Sequence, residues 1–165
     1  MRYMLKQKMF SLGQDFTILD ASGDRAFVVD GKAFSFGQKF SFQDAHGHEL
    51  LFVRQRHFAW RPTYLIFREG KRIAVVTRKP FTFFRSIFFV NLVGAGRIVV
   101  EGAMWEHEYA FKRKRATIAT VSRKWFSWAD TYGVEISDDE DHPLLLAVAV
   151  ILDLMCQAKA AASVG

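Results

Sequence analysis

The chain has 165 residues, half of them hydrophobic, with 17 Phe and a single Cys. This composition excludes a disordered segment, which could not bury enough apolar surface to offset chain entropy, and a disulfide-stapled scaffold, because Cys156 has no internal partner. Lys and Arg outnumber Asp and Glu by 23 to 17, and the excess is local: Arg54 to Lys124 carries 16 basic residues against 4 acidic ones, a field that attracts anions.

The length suits one domain spanning 1–165. The opening "MRYMLKQKMFSL" lacks the continuous apolar core and small-residue cleavage site of a signal peptide. A cytoplasmic location is expected, peripheral at the membrane if the basic surface meets lipid.

The first stretches alternate between strand-forming runs and turns. "DFTILD" and "RAFVVD" flank "ASG"; "KFSFQD" and "ELLFVRQ" flank "AHGH". Both turns begin Asp-Ala-x-Gly, at Asp20 and Asp44. An aspartate can bond the turn backbone, and glycine supplies the positive φ that a short bulged hairpin needs. "TYLIFREGKRIAVVT" is a third hairpin, turning at Glu69, Gly70 and Lys71. "FTFFRSIFFV" is too apolar for a strand with a wet face. In "AMWEHEYAF" strict alternation puts Ala103, Trp105, His107, Tyr109 and Phe111 on one face, and Met104, Glu106, Glu108 and Ala110 on the other. "RATIATVSRKW" and "TYGVEI" complete a set of roughly ten to twelve strands, an antiparallel meander over residues 2–136.

One helix follows, expected over 143–160. Pro143 suits a first helical turn, and the preceding "SDDED" faces the positive end of the helix dipole. Every residue from Leu144 to Leu152 is apolar, so the helix has no solvent side and belongs in lipid or inside protein. Asp153 interrupts the run well short of the roughly 18 apolar residues that a bilayer span needs. The economical arrangement is a closed sheet wrapped around the helix, with no transmembrane segment.

The order of segments, "KQKMFSLGQDFTILDASGDRAFVVDGK", "PTY", "IATVSRKW", "DTYGVEI", an acidic turn and "LLLAVAVILD", resembles the LURP-one-related family over essentially the whole chain. That family belongs to the tubby C-terminal-like group, with the phospholipid scramblases. The resemblance implies a mainly β fold: a closed antiparallel barrel of twelve strands around a central hydrophobic C-terminal helix. Tubby domains bind phosphoinositide headgroups through basic residues. No tubby ligand-binding residue matches a position here one by one, so none is carried over. Scramblase-like sequences carry an acid after the apolar run, as Asp153 does here.

Four basic segments are the candidate ligand-binding rim. They contain Arg68, Lys71 and Arg72 in "REGKR", Arg78 and Lys79 in "TRKP", Lys112, Arg113, Lys114 and Arg115 in "KRKR", and Arg123 and Lys124 in "SRKW". Gathered as hairpin tips at one barrel end, they would clamp phosphate oxygens, with Phe81, Phe83, Phe84, Trp125 and Trp128 free to dip into an interface. The competing reading makes the charges solvated strand edges that block sheet-to-sheet association, and the aromatics core. Nucleic acid is the disfavoured anion, since no zinc-finger, helix-turn-helix or RRM signature is present. Asp138, Asp139 and Asp141, beside Glu140, are weak candidates for a hard cation, but lack the spacing and central Gly of an EF-hand. Asp153 is expected to be buried against a structural partner, an Arg or a backbone amide.

Catalysis is not expected. His46 and His48 lie in a turn without further ligands. His57 and His107 read as core or rim residues, and Cys156 as a small hydrophobe on a buried helix. "GAGR" at 94–97 lacks the remaining residues of a nucleotide loop. The expected protein is a non-enzymatic, cofactor-free module that binds anionic membrane lipid headgroups. The alternative is a protein- or nucleic-acid-interaction module using the same surface. Oligomeric state is left open.

Overall fold

In the computed structural model, residues 1–7, 16–31, 39–56, 60–80, 85–125 and 131–163 are described, the last six without their side chains. Twelve strands and one helix follow the chain: β1 Arg2–Gln7, β2 Phe16–Leu19, β3 Arg25–Asp30, β4 Lys39–Asp44, β5 Glu49–Gln55, β6 Thr63–Arg68, β7 Lys71–Arg78, β8 Ser86–Leu92, β9 Gly96–Ala103, β10 Glu108–Arg113, β11 Ala116–Ser122, β12 Thr131–Ile136 and α1 His142–Ser163. Each strand pairs antiparallel with its sequence neighbours, and β12 returns to β1 with Tyr3 opposite Val134 and Leu5 opposite Tyr132. The sheet is a closed barrel with no free edge along its pairing order.

The two Asp-Ala-x-Gly turns are built alike. Asp20 Oδ1 accepts the backbone N–H groups of Ser22 and Asp24 at 2.9 and 3.0 Å, and Asp44 Oδ1 accepts those of His46 and His48 at 2.9 Å each. Gly23 and Gly47 both sit at φ +87°. The sheet register shifts beside each turn, where the extra residue is absorbed as a bulge. The His48 N–H, with the other bonds of this turn, holds the Asp44 carboxyl below its ordinary range.

Strand alternation turns one set of side chains inward. Leu5, Ile18, Phe42, Val53, Ile66, Val76, Val90, Val100 and Phe111 are fully buried. They close around α1, where each residue from Leu144 to Leu152 is at most 5% exposed. The helix therefore occupies the barrel axis, as its apolar character on every side requires. Asp141 caps its start by accepting the Leu144 N–H at 3.2 Å.

One segment departs from simple alternation. "AMWEHEYAF" is not a single strand: β9 stops at Ala103, a 3₁₀ turn covers Met104–Glu106, and β10 resumes at Glu108. Met104 is buried at 3% exposure while Trp105 is 54% exposed, the reverse of the alternating pattern. The turn closes on His107 in the left-handed region, at φ 52° and ψ 41°. Gly102 makes this possible, because a Cβ there would stand 2.4 Å from the Glu108 carbonyl oxygen. Backbone thus passes where any side chain would collide.

Removing residues 142–165 should leave a chain without cooperative thermal unfolding. Even one large-to-small change in a packed core costs about 2–5 kcal/mol, and this truncation empties the whole axis. A sharp, native-like calorimetric transition of the truncated chain would contradict the enclosed helix.

Candidate functional site

Antiparallel up-and-down order sorts the connections between two ends. Those following even-numbered strands share the end where α1 begins; those following odd-numbered strands share the end where α1 leaves. The "REGKR" hairpin joins β6 to β7 and "KRKR" joins β10 to β11, so both lie at the helix-start end. "TRKP" follows β7 and "SRKW" follows β11, so both lie at the helix-exit end. The four segments therefore do not converge. Asp141 and Asp153, which mark the two ends on the helix, stand about 18 Å apart at about 1.5 Å per residue.

At the helix-start end the positive charge is met by the acidic run. Arg68 donates to Asp141 Oδ2 at 2.7 Å, and Arg113 to Glu140 Oε1 at 2.5 Å. The Met1 amino group sits 3.0 Å from Asp138, which lowers that carboxyl's pKa through the hydrogen bond and the charge. Lys112 pairs with Glu101 on the neighbouring strand and likewise lowers its pKa. Glu140 is the deepest of these carboxylates, with its side chain 8% exposed. The acidic run is thus a docking point for two basic hairpins, and Asp138, Glu140 and Asp141 carry ion pairs. Among the described residues no group of three His, Cys, Asp or Glu could hold a metal ion. Lys71, Arg72, Lys114 and Arg115 remain exposed at the hairpin tips, beside the exposed acids Glu69, Asp138 and Asp139.

The helix-exit end has the opposite balance. Arg54, Arg56, Arg61, Lys79, Arg85, Arg123 and Lys124 are all exposed, and none forms a salt bridge among the described residues. Arg54 stacks its guanidinium 5.4 Å above the Phe67 ring, and Arg78 reaches the Ser86 hydroxyl at 3.5 Å. The acidic residues described here are few: Asp30, Glu106, Glu108, the buried Asp153, and Glu101, which pairs with Lys112 and lies within reach of the Arg85 charge. Glu108 is occupied by the Ser122 hydroxyl at 2.7 Å and the Arg123 N–H at 3.1 Å. Trp60 projects fully into solvent between β5 and β6, and Trp105 is exposed on the 3₁₀ turn. Trp105 also lines a small surface pocket with Arg78, Ser86, Phe88, Met155 and Cys156. That pocket joins the end of β7, the 3₁₀ turn and the departing helix in one surface.

Beneath it lies a buried polar cluster. Asp153, 8% exposed, accepts His107 Nε2–H at 2.9 Å on one oxygen and the Gln157 side-chain N–H at 3.0 Å on the other. The His107 ring stacks on Tyr132 with centroids 4.6 Å apart. His107 Nδ1 and the hydroxyls of Tyr109 and Tyr132 are buried and reach no partner among the described residues. A buried polar group left so costs about 1–3 kcal/mol. Burial, then the Asp153 charge, raises both phenol pKa values well above the ordinary one.

Known proteins place the chain clearly. The sequence profile of the LURP-one-related family matches residues 1–153. The chain belongs to the LURP-one-related family. It is 32% identical over 151 residues to the uncharacterized protein YxjI of Bacillus subtilis (strain 168), covering 92% of this chain and 91% of that one. A protein of Arabidopsis thaliana solved by X-ray crystallography shares the fold, with a TM-score of 0.69 at 20% identity over 93% of this chain and 91% of the other.

This LURP-one-related chain keeps Asp153 buried as expected, but its partners are a histidine and a glutamine, not an arginine or a backbone amide. His107 reads from sequence as a core or rim residue. It shares the inward face of Tyr109 and Phe111, as alternation expects, whereas the 3₁₀ turn reverses Met104 and Trp105, with Gly102 ahead of a Trp-Glu-His run as the local sign of that break. Nothing local in the sequence marks Trp60 as exposed. Phe81, Phe83, Phe84, Trp128 and His57 lie outside the described residues, while Trp125 is half-buried under the Arg2 guanidinium at 4.6 Å.

Asp153→Leu should lower stability by about 1–3 kcal/mol, because His107 and Gln157 lose their acceptor in a buried site. A variant that melts above the parent in calorimetry would show that the carboxylate holds nothing. All four tyrosines have raised pKa values, Tyr3, Tyr64, Tyr109 and Tyr132 each through burial first. The fold therefore favours the protonated phenol, and this stabilisation is complete below the ordinary value of about 10. It is lost as pH rises through the higher folded values. Tyrosinate absorbance should stay low as the folded chain passes about pH 10 and then appear together with alkaline unfolding. Ordinary titration of several tyrosines near about pH 10 in a still-folded chain would contradict this packing.

Proposed function

We propose that this protein is a non-enzymatic module that binds anionic membrane lipid headgroups through the helix-exit end of its barrel. The observation that carries the reading is the pairing of fully exposed Trp60 with exposed arginines and lysines that form no salt bridge among the described residues, Arg85 feeling Glu101 at longer range. Guanidinium groups clamp phosphate oxygens bidentately, lysine adds point charge, and tryptophan favours the boundary between headgroups and water. At the other end the acidic run and its ion pairs cancel most of the field. Among the described residues no helix is long and apolar enough to cross a membrane, so the proposed attachment is peripheral and reversible.

The experiment compares two quadruple variants that change net charge equally. One converts Arg56, Arg61, Lys79 and Arg85 at the helix-exit end to Ser. The other converts Lys71, Arg72, Lys114 and Arg115 at the helix-start end. Basic side chains near an anionic bilayer contribute about 1 kcal/mol each. With two of four in contact, the first variant should lose about 2 kcal/mol, or about 30-fold, in sedimentation with phosphatidylserine-containing vesicles. The second should stay close to the parent. Binding of the parent should weaken with added salt, through screening. Equal loss in both variants would remove the assignment to one end, and a parent that ignores anionic vesicles at low salt would remove lipid binding altogether.

A further inference from the structure

We propose that His107, Tyr109, Tyr132 and Asp153 enclose an internal water-binding site where the helix leaves the barrel, and that this water is part of the fold. The four residues come from three separate elements: the 3₁₀ turn and β10, the closing strand β12, and α1. Tyr109 and Tyr132 are 5% and 4% exposed, so neither hydroxyl can turn out to bulk solvent.

The chemistry of the unmatched atoms selects the ligand. The bond to Asp153 occupies Nε2 of His107 and leaves Nδ1 as the ring's second polar atom. Nδ1 accepts when the ring carries one proton and donates when it carries two. The two phenols offer O–H donors with free lone pairs. A ligand that satisfies all three in either ring state must be able both to donate and to accept. An apolar occupant satisfies none of them. An anion would be repelled by Asp153, and among the described residues no group of carboxylates, thiolates and imidazoles could hold a metal ion. Water accepts from the phenols and either donates to Nδ1 or accepts from it, matching the two to four partners of an ordinary internal water.

The site also accounts for the backbone at His107. A histidine held at φ 52° needs surroundings that fix it. The stack on Tyr132, the bond to Asp153 and a water on Nδ1 would hold the ring from three directions. That anchors the turn carrying Trp105 to the helix.

Oxygen-17 relaxation dispersion of the intact chain reads long-lived internal water directly. The parent should show a dispersion amplitude that falls in the Tyr109→Phe/Tyr132→Phe double variant. Each single variant, which removes only a hydroxyl, should melt about 2–4 °C below the parent. Orphaned hydroxyls predict the reverse, because their removal would leave melting unchanged or raise it. A dispersion amplitude that is the same in parent and double variant overturns the proposal.

Discussion

From Leu144 to Leu152 no side chain is polar, and a helix without a polar face must be enclosed on all sides. No single sheet face can do that. A sheet closed into a barrel can, and closure also removes the unpaired edges that invite aggregation. The inward set of each strand is consequently apolar, and the strand count must leave room for one helix along the axis. The enclosed helix fixes the positions of its own ends, and the proposed headgroup-binding surface lies at one of them.

The two ends differ because the helix has a direction. Its start needs an acceptor cap and favours negative charge, which Asp141 and its neighbours supply. Those carboxylates then take up Arg68 and Arg113 from two hairpins. A half-exposed pair such as Arg68–Asp141 is worth at most about 1 kcal/mol. The larger effect of these pairs is to neutralise the field at that end. The helix-exit end has no comparable acidic run, so its exposed arginines and lysines form no salt bridge among the described residues. The one acid that α1 carries there among its described side chains, Asp153, is turned inward onto His107 and Gln157.

Much of this was legible in the sequence. The two Asp-Ala-x-Gly turns, the apolar helix and the order of segments specify hairpins, a core element and a family, because each depends on local chemistry. The gathering of basic segments was not legible. "KRKR" and "TRKP" look equivalent in composition, and only the parity of the strands they join sends them to opposite ends. The acidic run before α1 hinted at cationic neighbours, yet nothing local tells that Arg68, 73 residues away, is one of them. The alternation in "AMWEHEYAF" misplaced Met104 and Trp105 but not His107, since a 3₁₀ turn changes the side-chain period that alternation assumes. Gly102, at φ +152°, was the local clue to that break.

The central claim is that the barrel folds around α1 as a single unit. Native-state hydrogen exchange of the amides from Leu146 to Leu152 tests it most directly. These amides should exchange only through global unfolding, with protection equal to the unfolding free energy measured by denaturant, and should share that value with inward strand positions such as Val76, Val100 and Val134. Helix amides that exchange at a distinctly lower free energy than the strands would mean that α1 can leave while the barrel persists, and would contradict the account.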